Sequence, residues 1–351
     1  YNYLILKSYL KNLNLNFFFF KKKLNKLNHF DRKKFIFNKK ILIVTHSLSR
    51  GGAERQVVKL ANLLLKNKYS VELLLTNYNY FNKPNNSYIL DLNKKIKIYY
   101  LDKPKNEFSK LNNIDSRLKN TLSFLNSDDL YTVQSLIKFF KTKKINLVHS
   151  FLDDTNILVG LAAKISGTPK IILSLRNAAP WRWTFYKSYW KECYKFFLKQ
   201  KNFILVCNSQ NNSKDYEKWL KIKRKTIKTT YNIFDFDKSQ VLRKKFNNKK
   251  IIFGIIARLA PEKNLFYLLK IFKEIKSKNI YLKILGKGYL LNRLKKYTHK
   301  VKINDKVSFL SETNNVKNFI SKLDVFILTS YMEGIPNVLL EAQNQSLPIF
   351  S

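Results

Sequence analysis

A chain of 351 residues with 45% hydrophobic side chains has room for about two domains of ordinary size and enough apolar material to fill a core in each. Its 67 Lys and Arg against 23 Asp and Glu give a formal charge of +44, which raises nucleic acid or an anionic membrane surface as partners. The charge is spread along the chain without a recognition motif, and Lys, Asn, Ile, Phe and Tyr are abundant together as an AT-rich coding sequence produces, so base bias rather than nucleic-acid binding is read from it.

Only Cys193 and Cys207 are present. They lack metal-ligand spacing and argue against a disulfide framework, which makes a reducing cytoplasm the default setting. No apolar run reaches the length needed to span a bilayer, the longest early one being Phe17–Phe20. The chain starts at Tyr1 rather than Met and stops at Ser351 after a strand-like run, the pattern of a fragment at both ends.

Residues 1–38, rich in Lys, Asn, Leu and Phe without a sustained period, read as a low-complexity leader, with an amphipathic membrane-contacting arm as the alternative. Order begins at the buried-type strand Ile41–Val44. Gly51-Gly52 then opens a helix over Ala53–Lys66 whose Val57, Leu60, Ala61, Leu64 and Leu65 follow helical spacing. Two glycines there let backbone approach a bound group, although such a pair is more often only a turn. Strand-like runs recur at Val71–Thr76, Ile96–Leu101, Ile145–His149, Ile171–Leu175 and Phe203–Cys207, with helical patterns over Leu130–Lys143, Asn156–Ile165 and Trp183–Gln200. This alternation predicts a parallel sheet covered by helices, with ligands beyond the carboxyl ends of its strands. His149 at one strand end and Arg176-Asn177 after the next fall on that rim; for His149 a structural hydrogen bond is as good a reading as catalysis.

The rhythm breaks around Tyr231–Asp235 and the charged run Lys244–Lys250, which places the domain junction there: 39–235 and 236–351. A second series follows, with strands Ile251–Ala257, Ile280–Leu285 and Val307–Leu310, a helix over Leu265–Lys278, and finally Asp324–Ser351. In this last stretch the strand Val325–Leu328 leads through Thr329–Gly334 to Pro336, where a helix can start without wasting a donor. A strand end meeting a helix N-terminus suits an anion. Glu333 and Glu341 frame it with acceptors for hydroxyls at the two ends of one ligand, the layout of a sugar nucleotide; the same residues also suit a turn whose glutamates face water. Arg258 and Lys263, at a strand exit and a helix start, can neutralise a diphosphate leaving group, or can be two solvated cations of a basic chain.

In order, Gly51-Gly52-Ala53-Glu54-Arg55, His149-Ser150-Phe151, Arg176-Asn177, Asn208-Ser209, Asn232, Gly254, Arg258-Leu259, Glu262-Lys263-Asn264, Gly286 with Gly288, and Glu333 with Glu341 around Gly334 and Pro336 resemble glycosyltransferase family 4 over residues 41–351. The resemblance implies an α/β protein of two Rossmann-like doubly wound parallel-sheet domains facing across a cleft, the GT-B fold. The N-terminal one lies on the acceptor side and the C-terminal one, incomplete here, binds the nucleotide sugar.

It also implies a retaining transfer from a nucleoside diphosphate sugar to a lipid-linked or cell-surface glycan, without a metal or other cofactor. Arg258, Lys263, Glu333 and His149 would be catalytic. Gly51, Gly52, Gly286, Gly334, Ile335, Pro336, Asn337 and Glu341 would bind the donor, and Arg176 and Asn177 stand as acceptor-side candidates. The setting implied is cytoplasmic, peripheral on an anionic membrane face, with no nucleic-acid partner. Three departures stand out: Ser311 where the family has Gly, Phe151 where many relatives carry a second His, and an end at Pro348–Ser351 that would leave a sheet edge open and the protein poorly stable. A hydrolase using two carboxylates is the rival enzyme, but it leaves Arg258 and Lys263 without a task; a basic nucleic-acid-binding protein without catalysis, whose affinity would fall steeply with salt, is the non-enzymatic rival.

Overall fold

The β-branched and leucine-rich runs pair into two sheets whose strands are all parallel, as expected for strands buried on both faces. The computed structural model describes residues 19–29, 34, 36, 38–77, 88–101, 115–182, 186–235, 250–311, 316–331 and 333–351. Most of the leader and of the run Lys244–Lys250 lies outside them. The chain divides into two units, Tyr1–Ile233 and Phe234–Ser351.

In the first unit the strands are β1 (Lys40–Thr45), β2 (Ser70–Leu75), β3 (Lys97–Tyr100), β4 (Leu147–Phe151), β5 (Lys170–Leu175), β6 (Phe203–Cys207) and β7 (Lys228–Thr229), in the spatial order β3-β2-β1-β4-β5-β6-β7. Helices α1 (Gly52–Lys66), α2 (Ser116–Thr121), α3 (Ser127–Thr142), α4 (Asp153–Ser166), α5 (Trp190–Leu198) and α6 (Gln210–Leu220) connect them. Chain order therefore reverses between β1 and β4. Helix α4 is buried almost throughout, packed against α3 and α5, and Gly160 lets the Phe197 ring lie against it: a Cβ there would meet that ring at 2.5 Å.

The second unit holds β8 (Ile251–Ile256), β9 (Ile280–Leu285), β10 (Val307–Leu310), β11 (Val325–Ile327) and β12 (Ile349–Phe350) in the order β10-β9-β8-β11-β12, with helices α7 (Leu265–Glu274), α8 (Leu291–Lys300), α9 (Val316–Ser321) and α10 (Asn337–Asn344). Its switch falls between β8 and β11. Leu268, Leu269 and Phe272 of α7 pack with Ile255, Leu282 and Ile284 of the sheet, while Ala342 of α10 packs with Phe326.

Several boundaries differ from the sequence reading. The helix expected over Trp183–Gln200 starts only at Trp190; a 3₁₀ turn, Pro180–Arg182, precedes it and residues 183–185 lie outside the described ones. The helix expected to reach Lys278 ends at Glu274, where Ile275 turns extended. His149 does not end its strand, because β4 runs on to Phe151.

Candidate active site

Where chain order reverses in an open parallel sheet, the loops leaving the two neighbouring strands diverge and open a crevice. In the second unit those loops follow β8 and β11. The β8 loop turns through Pro261–Lys263 and a left-handed Asn264 (φ 52°) into α7. The β11 loop is stitched to it twice: Thr329 Oγ1 donates to Lys263 O (3.0 Å) and the Tyr331 amide donates to Glu262 O (2.9 Å). With both backbones fixed, Lys263 Nζ reaches Glu333 Oε1 at 2.5 Å, the two side chains 18% and 24% exposed.

Arg258 takes another partner. Its Nη2 lies 2.5 Å from Glu262 Oε1 and its side chain is 69% exposed. Burial, the largest single influence, raises the Glu262 pKa, but the Arg258 hydrogen bond, a backbone hydrogen bond and the Arg258 and Lys263 charges together hold the carboxyl below its usual value. The basic pair of the sequence reading is thus one lysine held within the crevice loops and one arginine at their exposed margin.

Gly286 and Gly288 close the β9 loop against the β8 loop. Gly286 has φ +150°, and a Cβ on it would lie 2.0 Å from Ala257 O; one on Gly288 would lie 2.3 Å from Leu259 O. Their visible role is this backbone contact, sealed by hydrogen bonds from Leu259 N to Lys287 O (2.9 Å) and from Leu290 N to Leu259 O (3.2 Å). Pro336 is the N-cap of α10 rather than its first residue and offers no side-chain cap. Gly334, Ile335 and Asn337 line the approach to that helix end, and Glu341, one turn after Asn337, shares its stripe of the helix surface. Ser311 directly follows β10, while residues 312–315, including part of the expected base-selecting stretch Ser311–Thr313, lie outside the described residues.

In the first unit, Gly51 is extended (φ −141°) at the start of α1, and a Cβ on it would meet the Glu54 carboxylate at 2.2 Å. Glu54 therefore folds back toward its own helix start, ahead of Gly52 and the turns that follow. His149 lies inside β4, its Nε2 2.7 Å from Ser174 Oγ and its ring stacked on Phe151 at 4.7 Å. Burial, reinforced by the nearby Arg176 cation, lowers its pKa to about 3. The imidazole is neutral at physiological pH, which suits a hydrogen-bonding role and not a proton donor's.

The Arg176 guanidinium sits over the Phe151 ring (5.2 Å) and donates to Asn232 Oδ1 (3.1 Å). Neighbouring Asn177 is half-buried. Asp153, which opens α4, is buried against the hydroxyls of Tyr194 (2.7 Å) and Tyr216 (2.8 Å); burial pushes its carboxyl up to about 6, with those hydrogen bonds opposing. Asp154 instead pairs with Lys187 (3.1 Å).

The Thr329 and Tyr331 stitches, the tyrosine clasp on Asp153 and the Asn232–Arg176 bond escaped the sequence reading. Each joins residues far apart in the chain, and no local pattern marks them. The buried cysteines remain free thiols. No helix among the described residues is long and apolar enough to cross a membrane.

Comparison with known proteins gives these loops a context. The family described as Glycosyl transferases group 1 matches residues 237–351. An α-1,4-N-acetyl-D-galactosaminyltransferase of Campylobacter jejuni, named for a diphospho-undecaprenol-linked acceptor, is 30% identical over 312 residues, spanning 86% of this chain and 76% of the relative. An Escherichia coli α-1,3-galactosyltransferase named for UDP-Gal and GlcNAc-diphosphoundecaprenol is 29% identical over 63% of this chain and 61% of its own. The chain spans about six-tenths of the length of the first curated relatives it matches. The Anabaena HepE protein, solved with UDP-glucose, shares the fold with a TM-score of 0.65 at 15% identity, over 88% of this chain and 79% of that one. With two doubly wound parallel sheets of the GT-B type and a match to most of a curated transferase, the chain belongs to the group 1 glycosyltransferases.

Proposed function

We propose that the protein moves a sugar from a nucleoside diphosphate sugar to a lipid-linked or cell-surface glycan, with retention of anomeric configuration and without a metal ion. The observation that carries this reading is the Lys263–Glu333 contact between the loops leaving β8 and β11. An ion pair built at a switch point is a stored anion site: an arriving diphosphate can take the ammonium from Glu333, leaving that carboxylate to accept hydrogen bonds from sugar hydroxyls.

As the bond from the anomeric carbon to the diphosphate oxygen breaks, its electron pair stays on the diphosphate, where Lys263 neutralises the growing charge. Arg258, exposed at the margin, adds to this by leaving Glu262. An acceptor hydroxyl bonds to the same face of the anomeric carbon and passes its proton to a leaving-group oxygen. Glu341 holds ribose hydroxyls beside the α10 end.

A UDP-sugar donor is favoured by the UDP-glucose bound to the Anabaena relative, and a diphospho-lipid acceptor by the names of the C. jejuni and E. coli relatives. Such an acceptor sits in a membrane, so the protein works at an anionic membrane face, to which its +44 charge adds attraction. The test is thermal unfolding of the protein against a panel of nucleoside diphosphate sugars. One or more should raise Tm, and Lys263→Ala should abolish the rise; a wild-type protein unmoved by the whole panel refutes the reading.

A further inference from the structure

Several half-buried cations among the described residues are paired with carboxylates. Lys40 has Glu72 (3.2 Å), Lys187 has Asp129 (2.8 Å) and Asp154, Lys195 has Glu192 (3.3 Å) and Lys263 has Glu333. Arg176 has none, and unlike Lys306, whose ammonium donates to the carbonyls of Ile275 and Ser277, it is left with most of its donors unmatched among the described residues. Among the described residues its guanidinium makes one hydrogen bond, to the Asn232 amide oxygen, and rests on the Phe151 ring, with no carboxylate in ion-pair range.

A cation withdrawn from water without a counter-charge is unfavourable, and a guanidinium carries five N–H donors in a planar fork that one amide oxygen cannot satisfy. Burial lowers the Arg176 pKa only to about 10, so it keeps its charge at neutral pH.

Arg176 follows β5 at the carboxyl edge of the first sheet, the edge at which open parallel sheets take ligands. Its backbone is pinned, since Asn208 Nδ2 donates to Arg176 O (3.3 Å) and Asp215 Oδ2 accepts from the Ala179 amide (2.9 Å). Asn232 is held as well, because the amide and carbonyl of Ile233 bond both ends of the buried Gln56 side chain (2.7 and 3.1 Å). The Phe151 ring, in turn stacked with His149, sets the plane of the guanidinium. A fork fixed on three sides and lacking an anion is preorganised for one.

We infer that Arg176 seats an oxyanion carried by the acceptor, either a phosphate or a sugar carboxylate, and that the acceptor is therefore an anionic glycan or glycan phosphate. This rests on the glycosyl-transfer reading and names the acceptor class for it.

The experiment is thermal unfolding and titration calorimetry of the whole chain with methyl glucoside, methyl glucuronoside and glucose 1-phosphate, for wild type, Arg176→Gln and Lys263→Ala. The expected result is binding of at least one anionic probe but not of methyl glucoside. That binding should weaken by about tenfold or more in Arg176→Gln and survive in Lys263→Ala. Binding of the phosphate alone identifies a phosphorylated acceptor, and binding of the glucuronoside alone a uronate-bearing one.

Without ligand, Arg176→Gln should unfold at the same or a higher temperature than wild type, because an uncompensated cation has been removed. Absence of binding by both anionic probes, binding unchanged by Arg176→Gln, or a lowered Tm of that unliganded variant each overturns the inference. The nucleoside diphosphate sugar panel separates the two claims. A donor-induced Tm rise that persists in Arg176→Gln leaves the transferase reading standing whatever the acceptor probes do.

Discussion

Lys263 and Glu333, 70 residues apart in sequence, meet at 2.5 Å because the two loops that carry them are stitched by Thr329 to Lys263 O and by Tyr331 N to Glu262 O. A lysine with four rotatable bonds held by one carboxylate in water would contribute little. Here the backbones are fixed first, and the pair needs only its side chains ordered. The arrangement holds the Lys263 ammonium at a fixed place between the two loops.

Replacing Lys263 with Ala should lower kcat by about a hundredfold or more, the scale of losing a charge that stabilises the leaving group. Arg258→Ala should cost less, because that side chain is exposed and bound to Glu262 in the unliganded protein. Steady-state kinetics on both variants with a donor from the Tm panel decides the order; equal losses would make Arg258 an equal partner.

Gly286→Ala should lower stability by about 1–3 kcal/mol, since its φ of +150° is disfavoured for any side chain and the new Cβ would press on Ala257 O. Urea unfolding measures it. Because the β8 and β9 loops would part, donor affinity should fall in the same variant.

Stability should fall on acidification through His149. Its folded pKa of about 3 lies below the usual 6.5, so the unfolded chain binds the proton first. The contribution is complete above pH 6.5 and is lost as pH falls toward 3, at up to about 1.4 kcal/mol per pH unit. His149→Gln should flatten that limb of a plot of unfolding free energy against pH.

Asp153 works with the opposite sign. Its carboxyl is raised from 3.8 to about 6, so the folded state holds the proton between those values and stability declines as pH rises through that window. Asp153→Asn, which keeps an acceptor for Tyr194 and Tyr216, should remove the decline and leave the protein at least as stable at pH 8. A variant much less stable at pH 8 would mean that the ionised carboxylate is the better partner for the two tyrosines.

Turnover should be unchanged by EDTA, since the reading assigns the diphosphate charge to Lys263 and Arg258. Loss of activity on chelation, restored by a divalent cation, would overturn the metal-independent part of the proposal.

Local chemistry in the sequence was enough to set most strands and the helices α1, α3, α4 and α7, whereas β7 and the helices α2, α6, α8 and α9 were not singled out. Apolar runs such as Phe203–Cys207 and Ile280–Leu285 match their strands end to end, because burial on both faces leaves little choice of residue. Periodicity placed α1 and α7 for the same reason, while the start of α5 was missed where a 3₁₀ turn interrupts an aromatic-rich stretch without an obvious breaker. The residue types around the crevice were legible too, since a basic residue after one strand and an acid after another are readable motifs.

Which of those side chains would meet was a matter of tertiary structure. Strand order brought β8 beside β11, and only then could Lys263 find Glu333 while Arg258 turned to Glu262. Gln56 and Ile233, 177 residues apart, have no sequence signal linking them. Short-range preferences are written residue by residue, whereas a pairing across the fold exists only after the backbone has closed and excluded the water that would otherwise compete for it.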